Sequence, residues 1–154
     1  MTSKGQQNAD PIVLLVDAAN VVGSVPDGWW RDRAAATAML RDSLEAVASD
    51  GIRSRRAPEA LQVGPIEVIL VVEGKARGIV STDKVRVVAS AVSGDDTLVE
   101  LARELMPGRI CYVGTADREL IERLRYFGVT AVGPRLLRHQ HGSKERRRIA
   151  PASQ

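Results

Sequence analysis

Five side chains of this sequence stand where its apolar runs stop. Asp17 closes Ile12-Val13-Leu14-Leu15-Val16, and Asn20 follows three residues later. Asp95 and Asp96 follow Val85-Arg86-Val87-Val88-Ala89 across a short Gly-containing turn. Asp117 follows Ile110-Cys111-Tyr112-Val113-Gly114-Thr115. If those runs are neighbouring parallel strands, every one of these acids emerges on the same edge of one sheet. Converging carboxylates repel one another unless a cation joins them, so the pattern points to a divalent metal site. Metal sites of that kind commonly serve phosphoryl chemistry.

Each acid also has a plain structural explanation. A carboxylate directly after five buried apolar residues is costly unless compensated, yet Asp17 also reads as the cap of a turn through Asn20 or Ser24. Asn20 is either a turn residue or a neutral oxygen for a metal or phosphate. Ser93-Gly94-Asp95-Asp96 reads as a helix start, with Ser93 as cap and Asp96 completing a capping box. Thr115-Ala116-Asp117 reads the same way, with Thr115 as cap and Asp117 in the first turn. Caps account for each acid singly, but not for their shared place at strand ends.

Other charged groups belong to the same edge. Glu73-Gly74-Lys75-Ala76-Arg77-Gly78 leaves the second apolar run, making Glu73 a candidate ligand and Lys75 and Arg77 candidate phosphate holders. The same stretch also reads as a solvated charged loop. Trp29-Trp30, beside Arg31 and Arg33, either stacks on a base or anchors the first helix.

The elements that must position these residues are legible from periodicity. An unbroken β-branched run predicts a strand covered on both faces at Ile12–Val16, and further strands are expected at Ile66–Glu73, Lys84–Ser90, Arg109–Gly114 and Val129–Val132. Helical spacing of Ala36, Leu40, Leu44 and Val47 predicts a helix from Trp29 to about Ser49, with Asp27 as its candidate cap. Leu98, Leu101, Ala102 and Leu105 mark a second helix, and Leu120, Ile121, Leu124 and Phe127 a third over Asp117–Phe127. A last helical turn is expected after Gly133-Pro134. Strands alternating with helices give a parallel sheet with helices on both faces. Ligands of such sheets bind outside the carboxyl ends of the strands, where strand order reverses.

A chain of 154 residues is long enough for one domain with a proper core. Aromatics are only 3%, so Val, Leu, Ile and Ala must build that core, and extensive base stacking on exposed rings is disfavoured. Residues 135–148 carry Arg135, Arg138, Lys144, Arg146, Arg147 and Arg148 against Glu145 alone, a balance of +5 within a net charge of +3. A basic end on a mildly acidic body suits an anionic polymer, although such ends also simply solubilise. The single Cys111 lies in an apolar run and reads as an inert core residue. The segment 1–10 reads as a disordered leader with no apolar signal sequence, and no run reaches membrane-spanning length, so a cytoplasmic protein is expected. No dinucleotide fingerprint or Walker-type loop is present. Asp17 has no second Asp two residues on, and His139 and His141 lie in the tail, which removes a buried histidine pair.

Asp17-Ala-Ala-Asn20, the pair Asp95-Asp96 and Thr115-Ala-Asp117, in that order and spacing over residues 12–133, resemble the PIN-like nucleases, and among them the NYN group. Val16–Ser24 together with Pro26–Arg31 also resembles a group of small actinobacterial proteins, some of them labelled nucleotide pyrophosphohydrolases. The resemblance implies a three-layer α/β/α sandwich with a central, mostly parallel, Rossmann-like sheet over residues 11–139, followed by a flexible basic tail at 140–154. It implies a metal-dependent endoribonuclease acting on single-stranded RNA, with Asp17, Asp96 and Asp117 catalytic and Asp17, Asp95, Asp96 and Asp117 as ligands of Mg²⁺ or Mn²⁺. Helix geometry lets only one of Asp95 and Asp96 face the site squarely. Asn20 and Thr115 would orient ligands or phosphate, while Arg118, Lys75 and Arg77 hold the RNA backbone. Family nucleases often carry a fourth acid near the last motif, for which Glu119 is the nearby candidate, and homodimers are common among them. Two other readings share these residues: a nucleoside-triphosphate pyrophosphohydrolase using the same metal, and an RNA-binding module that has lost catalysis.

Overall fold

The computed structural model describes residues 10–106 and 108–138. The expected leader (apart from Asp10), His139, His141 and the basic tail lie outside the described residues. Five strands form one sheet: β1 (Ile12–Asp17), β2 (Ile66–Val72), β3 (Val85–Ala89), β4 (Cys111–Gly114) and β5 (Thr130–Val132). Every pairing is parallel and the order is β3-β2-β1-β4-β5. The chain thus builds outward from β1 to β3, crosses back, and continues on the other side of β1 with β4 and β5. Strand order reverses between β1 and β4, so the expected binding crevice lies at the ends of those two strands.

Four helices cover the two faces: α1 (Ala18–Val22), α2 (Arg33–Asp50), α3 (Gly94–Leu105) and α4 (Arg118–Arg125). Residues 134–138 are also helical. Alternation along the central strand divides the core. Leu14 and Val16 point to the cluster with Leu40, Leu44 and Val47 of α2, whereas Val13 and Leu15 point to the cluster with Leu98 of α3 and Leu120 and Leu124 of α4. A strand buried on both faces must be apolar at every position, which is why β1 reads as an unbroken run. The three-layer α/β/α architecture expected from the sequence is the one observed.

Local differences have physical causes. The first long helix does not begin at Trp29. Trp29–Arg31 form a separate 3-10 turn, and α2 starts at Arg33, where Asp32 accepts the Ala35 N–H at 3.0 Å. Asp27, the expected cap, instead pairs with Arg138 at 2.7 Å. A short helix, α1, was not foreseen; five residues are too few to display a helical period. At the sheet edge, β3 is lined by its own preceding loop: Val87 N–H donates to Ser81 Oγ at 2.8 Å and Val85 N–H to Thr82 Oγ1 at 3.1 Å.

Candidate active site

Asp17 ends β1 and caps α1, with only 7% of its surface exposed. Its Oδ1 accepts the Asn20 N–H at 3.3 Å, and its Oδ2 accepts the hydroxyl of Thr115 at 2.9 Å. Thr115, itself buried, follows β4, so this one bond ties together the two strands that flank the reversal point. The Thr115 Oγ1 also accepts the Asp117 N–H at 3.2 Å. Asn20 reaches the same turn from α1, its Oδ1 accepting the Ala116 N–H at 2.8 Å. The crevice is therefore pinned by side chains of types that can also face a ligand.

Burial pushes the Asp17 carboxyl up to about 6, against the opposing pull of the bonds from Thr115 and Asn20; the charges of Asp95 and Glu73 raise it further. Asp95, half-buried in the first turn of α3, is raised as well, first by burial and then by the charges of Asp117 and Glu73, with Arg123 opposing. Asp95 and Glu73 thus act on Asp17 as like charges, and Asp117 and Glu73 act on Asp95.

Asp96 takes a different course. Its side chain is 67% exposed and its Oδ1 pairs with Arg123 of α4 at 3.0 Å. Ser93 does cap α3, accepting the Asp96 N–H at 3.3 Å, but the Asp96 carboxylate is turned to Arg123. Of the adjacent acids, Asp95 is the one whose charge is felt at Asp17. Asp117, not Thr115, is the cap of α4: its Oδ1 accepts the N–H groups of Glu119 and Leu120 at 3.0 and 3.2 Å.

Glu73 follows β2, and its Oε1 accepts the Gly94 N–H at 2.8 Å, strapping the β2 exit to the start of α3. A Cβ on residue 94 would lie 3.3 Å from that oxygen, a tight contact that glycine avoids. The strap was not legible in the sequence because its partners are 21 residues apart and neither forms a motif with the other. Lys75 lies in the Gly74–Ala76 turn with Arg77 directly after it, and both are exposed; Arg118 and Glu119 are exposed in the first turn of α4.

Among the described residues, no three His, Cys, Asp or Glu side chains are gathered closely enough to grip one ion. The donor set is all oxygen, the chemistry of a hard cation. Mg²⁺ is commonly held by one or two carboxylates with water and substrate phosphate completing its sphere. Asp17 and Asp95 are carboxylates of the type such an ion takes, and the charge of Asp95 acts on Asp17.

A parallel α/β/α sheet with an acid-rich crevice at its reversal point defines a class by fold. Within it, the chain is similar to Rae1 (YacP) from Bacillus subtilis, whose crystal structure it matches with a TM-score of 0.66 over 92% of this chain and 84% of that one, at 20% identity. The likeness is one of fold alone. The expected homodimer gains no support from it. No family model matches the sequence, and comparison with curated protein sequences gives no match. No helix among the described residues is long and apolar enough to cross a membrane.

Proposed function

We propose that this protein is a metal-dependent ribonuclease that cleaves the phosphodiester backbone of single-stranded RNA at the crevice between the ends of β1 and β4. One observation carries the reading: the buried carboxylate of Asp17 has two further acids, Asp95 and Glu73, acting on it. A structural cap has no need of such company, whereas a cation site does. The fold likeness to Rae1 supports the same reading.

Asp17 and Asp95 would hold Mg²⁺ or Mn²⁺, with Asp117 and Glu73 completing the acidic wall. Such an ion, when bound, polarises a phosphoryl oxygen and makes water a stronger nucleophile. The protein's own groups do the rest. Thr115 fixes the Asp17 carboxylate, and Asn20 fixes the turn that carries Asp117. Lys75, Arg77 and Arg118 offer exposed cations to backbone phosphates, an affinity that weakens with salt. Asp96 is given to Arg123 rather than to the metal.

The decisive experiment compares native protein and Asp17→Ala on labelled single-stranded RNA, with Mn²⁺ and with chelator. The variant is expected to lose cleavage by at least about a hundredfold, the scale of a missing electrostatic contribution to the transition state, while RNA affinity changes only a few-fold. Full activity in the variant refutes the assignment. Free nucleoside triphosphates in the same assay separate the other enzyme reading, which requires pyrophosphate release and intact RNA. Binding that ignores chelator, without turnover, identifies an RNA-binding module.

A further inference from the structure

Next to the acidic crevice lies a hollow of ≈ 350 Å³, lined among others by Ala19, Trp29, Arg33, Glu73 and Lys75. A second, of ≈ 270 Å³, is lined by Trp30, Arg31, Asp32, Arg33, Ala34 and Lys75. Arg33 and Lys75 line both, so the two hollows adjoin across a pair of cations. Each is near the lower end of the volumes that hold small ligands. Glu73, which lines the first hollow, also acts by its charge on Asp17.

The walls are matched to a ligand that is flat and negatively charged. Arg33 stands 5.2 Å from the centre of the Trp29 ring and Arg31 stands 6.0 Å from that of Trp30. The two indoles meet edge to face, 5.8 Å apart, and Trp30 is 51% exposed, far more than a core anchor requires. The carboxylates in the walls are already engaged by backbone: Glu73 by the Gly94 N–H and Asp32 by the Ala35 N–H. Arg31, Arg33 and Lys75, by contrast, form no ion pair among the described residues. Unpaired cations around aromatic rings attract phosphates while the rings and guanidinium planes stack bases.

We propose that the paired hollows hold two successive nucleotides of a single RNA strand, one base against Trp29, the next against Trp30, and the phosphate between them on Arg33 and Lys75. The proposal rests on the ribonuclease reading for its substrate, and it places the bound dinucleotide immediately beside the bond to be cut. Recognition is by ring face and backbone charge, so it is tolerant of sequence.

The chain's two tryptophans, Trp29 and Trp30, are both here, so its indole emission reports the hollows directly. The full-length protein, held in chelator so that nothing is cleaved, is titrated with a 5′-phosphorylated diribonucleotide, with ribose 5-phosphate and with a nucleoside triphosphate. Saturable quenching by the diribonucleotide is expected, at least tenfold tighter than by ribose 5-phosphate. Lys75→Ala should weaken it about tenfold, and Ala19→Phe, at an exposed position on the rim, should fill the first hollow and weaken it similarly. Circular dichroism checks that both variants keep the native fold. Absence of quenching, equal affinity for ribose 5-phosphate, or affinity unchanged in both variants overturns the proposal. Tighter binding of the triphosphate than of the diribonucleotide overturns RNA as the occupant. Because no metal is needed, the two readings fail separately: quenching without cleavage under Mn²⁺ sinks the nuclease alone, and cleavage with an unaltered KM in Ala19→Phe sinks the subsite alone.

Discussion

At the scale of single residues, the chemistry turns on what the fold does to Asp17. In the unfolded chain this carboxyl titrates near 3.8, and in the folded protein it titrates at about 6. Between those values the folded state holds a proton that the unfolded state has released. Stability is therefore fully present below about 3.8, falls as pH rises through 6, and stays lower above it. The shift corresponds to roughly 3 kcal/mol against the metal-free fold at neutral pH. Asp17→Asn abolishes that penalty but disturbs the bond from Thr115. It is expected to melt above the native protein by several degrees at pH 8 without metal, and the gap should close towards pH 4. A gap independent of pH would mean that the carboxylate is not destabilised by burial. The placing of Asp17, Asn20 and Thr115 at the ends of β1 and β4 was legible because each ends or follows an apolar run. The different settings of Asp95 and Asp96 were not: Arg123, which pairs with Asp96, approaches from a different helix 27 residues on.

At the scale of elements, the same acids serve two purposes at once. Asp117 caps α4 and also belongs to the group of acids acting on Asp95. Two substitutions separate those duties, because asparagine caps as well as aspartate does and alanine does not. Asp117→Asn should leave thermal stability nearly unchanged while lowering cleavage at least tenfold. Asp117→Ala should lose the same activity and about 1 kcal/mol of stability besides. Equal stability in both would show that the cap contributes nothing; undiminished cleavage would remove Asp117 from the site. The central strands were legible in the sequence because β1 and β2, largely buried on both faces, must be apolar almost throughout, and the edge strands β3 and β5 because short β-branched runs mark them. What escaped was short or set by contact: α1, with no room for a period, and the break at Asp32 that separates the Trp29–Arg31 turn from α2.

At the scale of the whole molecule, β1 is common to two cores. Leu15 faces α3 and α4 while Leu14 faces α2, so neither side can loosen without disturbing the strand that carries Asp17. Leu15→Ala is expected to cost about 2–5 kcal/mol and to lower both cores together. Two probes check this. Trp29 packs against the α2 side, and Cys111, whose thiol burial pushes up to about 11, lies on the other. Indole emission and thiol labelling should share one denaturant midpoint in native protein and variant alike. Distinct midpoints would divide the chain into two cooperative units. Length and the absence of a second set of apolar runs are the grounds for expecting a single domain. The strand order that makes β1 the hinge of the architecture was not, because local periodicity carries no information about which strands become neighbours.

The loop that precedes β3 has a bearing on how this protein behaves in a crowd. Parallel sheets end in two open margins, and an open margin with free amides is a template on which a stray strand can crystallise into fibre. Here the outward amides of Val85 and Val87 are already occupied by the hydroxyls of Thr82 and Ser81, and an exposed Arg86 sits between them. Two small alcohols thus act as a selvedge on the fabric, letting the molecule be concentrated without being woven into its neighbours along that side.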